Sequence, residues 1–326
     1  MSLYKNLLRA GGMLSLALSA QAQSYTIQDT YDTTNFFEGF EFYSEPDPTA
    51  GFVEYVDAAT ANTTSLAGYA NGGIYLGVDY TTANPVNGRQ SVRVNTVKSY
   101  THGLFIVDLA HMPAQACGAW PAFWSFGPNW PSSGEIDIIE GVNSASNSSI
   151  TLHTASGCSF SQDSYASGDC GAPGDGTEGC GHPTENTQTF GNDFNTAGGG
   201  VYAMQWTSSA ISIFFFPKSG SVPSDIAAGT PDPSTWGTPL ASFSGGSCNI
   251  DDNFANHQLV FDTTFCGQWA GKVWDQDATC SALATTCQDY VGANPSAFQD
   301  VYWLINSVKV YGENTSATRF ARRFNA

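Results

Sequence analysis

Three carboxylates fall within six residues in "GEIDIIE": Glu135, Asp137 and Glu140, set among isoleucines with no lysine or arginine nearby. A single acid on a strand ordinarily faces solvent and says little. Like charges crowded on one strand destabilise a sheet, so three together point to chemistry, since perturbed groups concentrate at active sites. Cleaving a glycosidic bond needs two carboxyls in different protonation states. One attacks the anomeric carbon, and the other protonates the leaving oxygen. In the retaining variant the two lie roughly 5–5.5 Å apart. Negative neighbours raise the pKa of one carboxyl and keep it protonated near neutral pH. A middle Asp would hold the nucleophile, and the three then titrate as a group.

The spacing sets a condition on the strand that carries them. Side chains alternate faces with period 2, so Glu135 and Asp137 share a face and Glu140 should point to the other. A β-bulge, two residues opposite one, restores the alternation. The expectation is a bulge with Ile138 or Ile139 as the extra residue, placing all three acids on one face.

"GEIDIIEGVN" resembles the E-x-D-x-x-E signature of glycoside hydrolase family 16 in its laminarinase-type branch. The lichenase and cross-linking transglycosylase types carry E-x-D-x-E without the extra residue. "GRQSVRV", "HGLFIVDLAHMP", "WPAFWSFGPNWP", "TLHT", "FCGQWAG" and "YWLINSVKVY" agree in order with the fungal secreted endo-β-1,3(4)-glucanases of that family. The likeness runs from about Gly39 to Gly312. It implies Glu135 as nucleophile, Glu140 as acid/base and Asp137 as the assisting carboxylate. It also implies His153, on the following strand, as a cleft histidine near Asp137.

Sugar rings have apolar faces, on which aromatic side chains stack. Trp120, Trp124 and Trp130 precede the acids. Trp130 is five residues before Glu135 and is expected at the cleft mouth, whereas Trp124, inside "AFWSF", reads as core. Trp269, flanked by glycines, is the sugar-stacking tryptophan that the resemblance implies. Trp206, Trp274 and Trp303 read as packing. Arg93, in "SVRV", is either one half of a salt bridge or, by the resemblance, a donor to sugar hydroxyls, for which a fixed guanidinium fork is suited.

The surrounding elements read as β. Short apolar and β-branched runs between Gly, Asn, Asp and Pro recur along the chain, as in an all-β sandwich or barrel. Val92, Val94 and Val97 suggest a half-buried strand with a late irregularity. "AISIFFFP" is apolar on both faces, and Val301–Tyr311 should lie deep in a sheet. "CSALATTCQDYVGANPSAF" is the one plausible helix. Residues 155–200 are Gly-, Ser- and Cys-rich, and a loop this long is usually functional or stapled. Its G-x-G-x-x-G match, Gly174–Gly179, lacks the flanking strand and helix of a dinucleotide site.

Residues 1–22 read as a secretory signal: Lys5 and Arg9, then an apolar stretch, then "AQA". The stretch is too short to span a membrane. Removal leaves 9 basic against 29 acidic residues, a balance that repels nucleic acid and anionic membranes. Eight cysteines suit an exported chain with disulfides, whose pairing the sequence leaves open. Sequons stand at Asn62, Asn147 and Asn314.

Together these imply one domain over residues 23–326, a β-jelly-roll sandwich of two curved antiparallel sheets with an open substrate cleft. The implied activity is endo-acting, retaining hydrolysis of β-1,3-glucan, extending to mixed β-1,3/1,4 linkages. Transglycosylation is the alternative within the same chemistry. A non-catalytic glucan-binding lectin would require loss of the carboxylates, and all three are present. The expected partner is a β-glucan, with no nucleic acid or membrane, and the chain is expected to act as a monomer. No cofactor is required. The resemblance allows a structural calcium on the convex face, but no D-x-D-type oxygen cluster identifies its ligands.

Overall fold

The structure is a computed structural model that describes residues 24–161, 168–171 and 179–313. The signal segment, the Asn314 sequon and all but the last glycine of the Gly174–Gly179 match lie outside the described residues.

Alternating apolar runs build two main sheets. The seven-stranded sheet runs in the order Cys180–Pro183, Ser149–His153, Glu135–Glu140, Ala119–Phe126, Gln258–Phe265, Val94–Thr96, Phe40–Phe42. The eight-stranded sheet is centred on Tyr302–Glu313, which pairs antiparallel with Tyr25–Tyr31, Gly73–Gly77 and Gly103–His111. Gly200–Trp206, Ala210–Pro217 and Ala241–Ser244 extend it on one side. One small pair, Val53–Tyr55 with Arg89–Ser91, is parallel.

The sheets bury their facing sides in one apolar layer. Ile136, Ile139, Leu152 and Phe261 from the first sheet meet Leu109, Tyr202, Ile213 and Ile305 from the second. Each such side chain, fully buried, contributes about 1.5–3 kcal/mol. Phe123 and Phe261 stack at 4.3 Å across neighbouring strands. A second cluster lies under the end of the first sheet around Phe265, Trp274 and Phe298. Trp206, Trp274 and Trp303 are buried, as their packing role requires.

Four disulfides join Cys117–Cys280, Cys158–Cys248, Cys170–Cys180 and Cys266–Cys287. Two of them staple the cysteine-rich region. Cys170–Cys180 closes a loop onto the strand beside Ser149–His153, and Cys158–Cys248 ties that region to the far side of the chain.

Two local expectations need correction. The anticipated strand is two short ones, Arg89–Ser91 and Val94–Thr96, with Val92 and Arg93 between them; the segment is buried on both faces, because Arg93 and Asn95 are covered as well, and Val97 is 59% exposed past its end. The anticipated helix is broken into Ala278–Ser281, Cys287–Ala293 and a 3-10 turn at Pro295–Phe298. Asp277 and Thr286 each cap a fresh start, and Pro295 begins the last turn. Other short helices occur, among them Ala58–Thr63 and Gly191–Thr196.

Candidate active site

Strand Glu135–Glu140 pairs with Ala119–Phe126 as Glu135↔Phe126, Asp137↔Trp124, Ile139↔Phe123 and Glu140↔Ala122, and the register shifts between Asp137 and Ile139. Ile138 is therefore the extra residue of a bulge. Directly paired residues share a face, so Glu135, Asp137 and Glu140 lie with Phe126, Trp124 and Ala122 on the side away from the core. Ile138 and Ile139 are both buried, at 1% and 0% exposure. Two apolar side chains compete for the core side, and the bulge accommodates both while returning Glu140 to the acidic face.

The hairpin before this strand, "GPNWPSSG", has the turn residues such a loop needs. It is closed by the bond from Gly127 N–H to Gly134 C=O at 3.0 Å. Gly134 adopts φ +77°, and a side chain there would strike Phe254. Trp130 stands on this loop, 43% exposed, and its side chain favours the charged form of Glu135. On the other flank His153 pairs directly with Glu135. Its Nε2 lies 3.3 Å from Asp137 Oδ2 and 4.0 Å from Glu135 Oε1. Gly179, at φ +57°, leaves the space the His153 ring occupies.

Trp120 and Trp124 follow the same alternation and lie on the acidic face. Trp120 Nε1 donates to Glu140 Oε1 at 2.8 Å, and its ring meets Trp269 edge-on at 5.6 Å. Trp124 is half-buried rather than core. It packs against Arg93 and favours the charged form of Asp262. Among the described residues no carboxylate is within ion-pair distance of Arg93. Its guanidinium instead lies 4.4 Å from the Tyr43 ring centre, 4.9 Å from that of Trp124 and 5.8 Å from that of Phe126. Its Nε is buried with no hydrogen-bond partner. Such a caged cation keeps its remaining donors available for an incoming acceptor.

Electrostatics separate the two outer acids. Burial first, then the Asp137 charge, push Glu135 up to about 8. His153, the Trp130 side chain and Arg93 oppose that rise. The same two causes raise Glu140 well above the usual carboxylate range, and Glu135 adds to them, against Trp120 and His153. The groups that favour the charged form differ: His153, the Trp130 side chain and Arg93 act on Glu135, and Trp120 and His153 act on Glu140. Two carboxyls on one face, one to give a proton and one to attack, can cleave an acetal. Asp262, on the neighbouring strand, is also held up to about 7 by burial.

Residues 40–311 match the XgeA-like, catalytic GH16 domain. The chain is 43% identical over 323 residues to an endo-1,3(4)-beta-glucanase of Arthroderma benhamiae, covering 96% of this chain and 70% of that protein. It spans 42–51% of the length of other curated relatives. The structure of GH16 Laminarinase 16A from Phanerochaete chrysosporium superposes with TM-score 0.83 at 40% identity, covering 89% of this chain and 100% of that one. An elongating GH family 16 beta-1,3-glucosyltransferase matches equally, at TM-score 0.83 and 41% identity, over the same 89% and 100%.

The chain belongs to glycoside hydrolase family 16.

The two stacked antiparallel sheets are the jelly roll of that family. In this family 16 domain the structure brings together Glu135, Asp137, Glu140, His153 and Trp130, with Trp269 reaching Glu140's surroundings through Trp120 and Arg93 set apart beside Trp124. Sequence reasoning left Trp120 without a role and assigned Trp124 to the core. Trp120, Ala122, Trp124 and Phe126 share a face by simple alternation. Knowing which face required the pairing with the acid strand. Asp262 and Tyr43 carried no sequence signal.

A calcium site finds little support among the described residues. The one set of three close ligand groups is Glu135, Asp137 and His153, whose atoms lie within 4.8 Å of one another. It lies among the acids of the candidate active site and includes an imidazole, whereas calcium takes six to eight oxygens.

Proposed function

We propose that this chain is a secreted, monomeric endo-glucanase that hydrolyses internal β-1,3 linkages, including those of mixed β-1,3/1,4-glucans, with retention of configuration. The observation that carries this reading is the bulge at Ile138, which puts the carboxyls of Glu135 and Glu140 on one face, either side of Asp137. Glu140 gives its proton to the glycosidic oxygen as Glu135 attacks the anomeric carbon. The carbon–oxygen bond breaks, and a glycosyl ester on Glu135 remains. Glu140, now ionised, takes a proton from water. That water displaces Glu135 and restores the starting state. The sequence balances with one water consumed and needs no redox group.

Asp137 and His153 hold Glu135, since both lie beside it on the same face. Trp130 and Trp269 offer ring faces to glucose units, and Arg93 offers hydrogen bonds to hydroxyls. The apolar segment before residue 23 supports secretion, as do four disulfides, which persist in oxidising compartments. Of the sequons, Asn62 is exposed, whereas Asn147 already donates its side-chain amide to Thr184 C=O. Asn62 is the better glycan acceptor.

The test is product analysis on laminarin, lichenan and branched β-1,3/1,6-glucan, with NMR of the anomer first released. Short oligosaccharides born as the β-anomer support the reading, and α-anomers overturn it. Transglycosylation is a second reading, favoured by the likeness to the elongating glucosyltransferase. Products longer than a supplied oligosaccharide would decide for it.

A further inference from the structure

Asn143 lies three residues beyond Glu140, is 3% exposed and has φ +56°. Its side chain uses both ends. Oδ1 accepts from Gly118 N–H at 2.8 Å, and Nδ2 donates to Ala270 C=O at 2.9 Å. Its own backbone N–H donates to Ala119 C=O at 3.1 Å. Gly118 opens the strand of Trp120, and Ala270 follows Trp269. One amide therefore ties three segments together: the exit of the acid strand, the start of the Trp120 strand and the turn bearing Trp269. The side chains of those segments meet as the Trp120–Glu140 hydrogen bond and the perpendicular Trp120–Trp269 pair.

We propose that Asn143 is a positioning residue that fixes the Trp120–Trp269 corner against the Glu140 carboxyl, which rests on the reading of Glu140 as the acid/base.

An amide suits this place because it alone among small side chains offers an acceptor and a donor in one rigid plane. Asparagine also tolerates the left-handed backbone that the turn requires. The backbone there is already cross-linked. Cys117, next to Gly118, is bonded to Cys280, and Cys266, at the base of the Trp269 turn, to Cys287. Those bonds keep the segments together, which leaves Asn143 to set the finer placement on which proton transfer depends. A misplacement of about 1 Å can cost on the order of a hundredfold in rate.

The test uses Asn143→Gly, which keeps the left-handed backbone and removes only the amide. The first readout is the exciton couplet that two close indoles give in circular dichroism, assigned by its loss in Trp269→Phe. The second is kcat and KM on laminarin. The expected result is a weakened couplet together with a kcat reduced about tenfold or more and a melting temperature close to the parent's. Asn143→Asp keeps the acceptor for Gly118 N–H but sets an oxygen against Ala270 C=O, and it should show the same changes. It carries the test should the glycine variant fail to fold. Ser144→Ala, which removes only an exposed contact to Asp277, should leave both readouts unchanged.

Full kcat in Asn143→Gly overturns the proposal, whether or not the couplet survives. So does a loss of kcat with the couplet intact. Failure of the underlying reading is seen separately, as laminarin hydrolysis retained by Glu140→Gln.

Discussion

The indole N–H of Trp120 donates to Glu140 at 2.8 Å while the same ring stands perpendicular to Trp269. The group proposed to move the proton is thereby attached to the aromatic surface proposed to hold the sugar. A hydrogen bond to a carboxylate favours its charged form, so Trp120 moderates the tight hold that burial and Asp137 give Glu140 on its proton.

Removing that donor should be visible in a pH profile. In Trp120→Phe, Glu140 loses a partner for its anion, and its pKa rises. The alkaline limb of kcat/KM, which reports the acid in the free enzyme, should move to higher pH. The deprotonated form needed for the second step becomes harder to reach, so kcat should fall. An unmoved alkaline limb would show that Glu140 does not control it.

The two outer acids should give different products with azide. Glu140→Ala and Glu135→Ala should each lose activity by roughly 10²–10⁴ or more, the range for general acid–base groups. Azide can intercept the glycosyl ester that Glu140→Ala still forms from an activated aryl glycoside, yielding a β-glycosyl azide. In Glu135→Ala no ester forms, and direct displacement yields the α-azide. Reversed anomers in the NMR spectra would exchange the two roles.

Deleting Ile138 should leave the acids on one face. The shortened strand alternates regularly, as Glu135, Asp137 and Glu140 with single residues between them. Loss of a buried isoleucine should cost about 2–5 kcal/mol, measured by denaturant unfolding. Hydrolysis should be weakened but remain well above that of Glu140→Gln. Activity as low as in Glu140→Gln, in a folded protein, would mean that the bulge sets more than the facing.

Stability should fall as pH rises from about 6.5 to 8. Glu135, at about 8 against an ordinary 4.5, and Asp262, at about 7 against 3.8, both bind a proton in the native state that the unfolded chain has released. Native stability therefore declines with pH across that interval. His257 acts oppositely, at about 4 against 6.5, because burial disfavours its charge, so the unfolded chain binds more protons between those values. Its influence fades as pH passes 6.5, so the two acids dominate above it. Glu135 alone accounts for ~2 kcal/mol over this window. The melting temperature should drop by several degrees, and Glu135→Gln should flatten the slope. A melting temperature that climbs through the window would contradict these shifts.

Patterns local to one strand were legible before the fold was known. The acid cluster and its one-residue excess were readable because alternation is a property of a single segment. Trp124 was misread for the opposite reason. Its face is set by its partner Asp137, which lies on another strand. The buried second face of the segment around Arg93 was hidden in the same way, since Tyr43 and Phe126 cover it from elsewhere in the chain. Cysteine pairs such as Cys117–Cys280, 163 residues apart, leave no local trace. The segment after Cys280 carries a helical pattern, but Thr286 and Pro295 interrupt it with new starts that periodicity does not weigh.

The middle of the larger sheet has a consequence for synthesis. Tyr302–Glu313 joins Tyr25–Tyr31 and Gly73–Gly77 on one side to Gly103–His111 on the other. A ribosome delivers that strand after the catalytic strand and after every other strand of the two main sheets. Until it arrives, the other strands of this sheet fall into three pieces with open edges, the lone Tyr25–Tyr31 among them, and such edges invite pairing between chains. The acids of the smaller sheet are complete long before the support behind them is closed. Folding deferred until that strand is available would spare this molecule its most aggregation-prone interval.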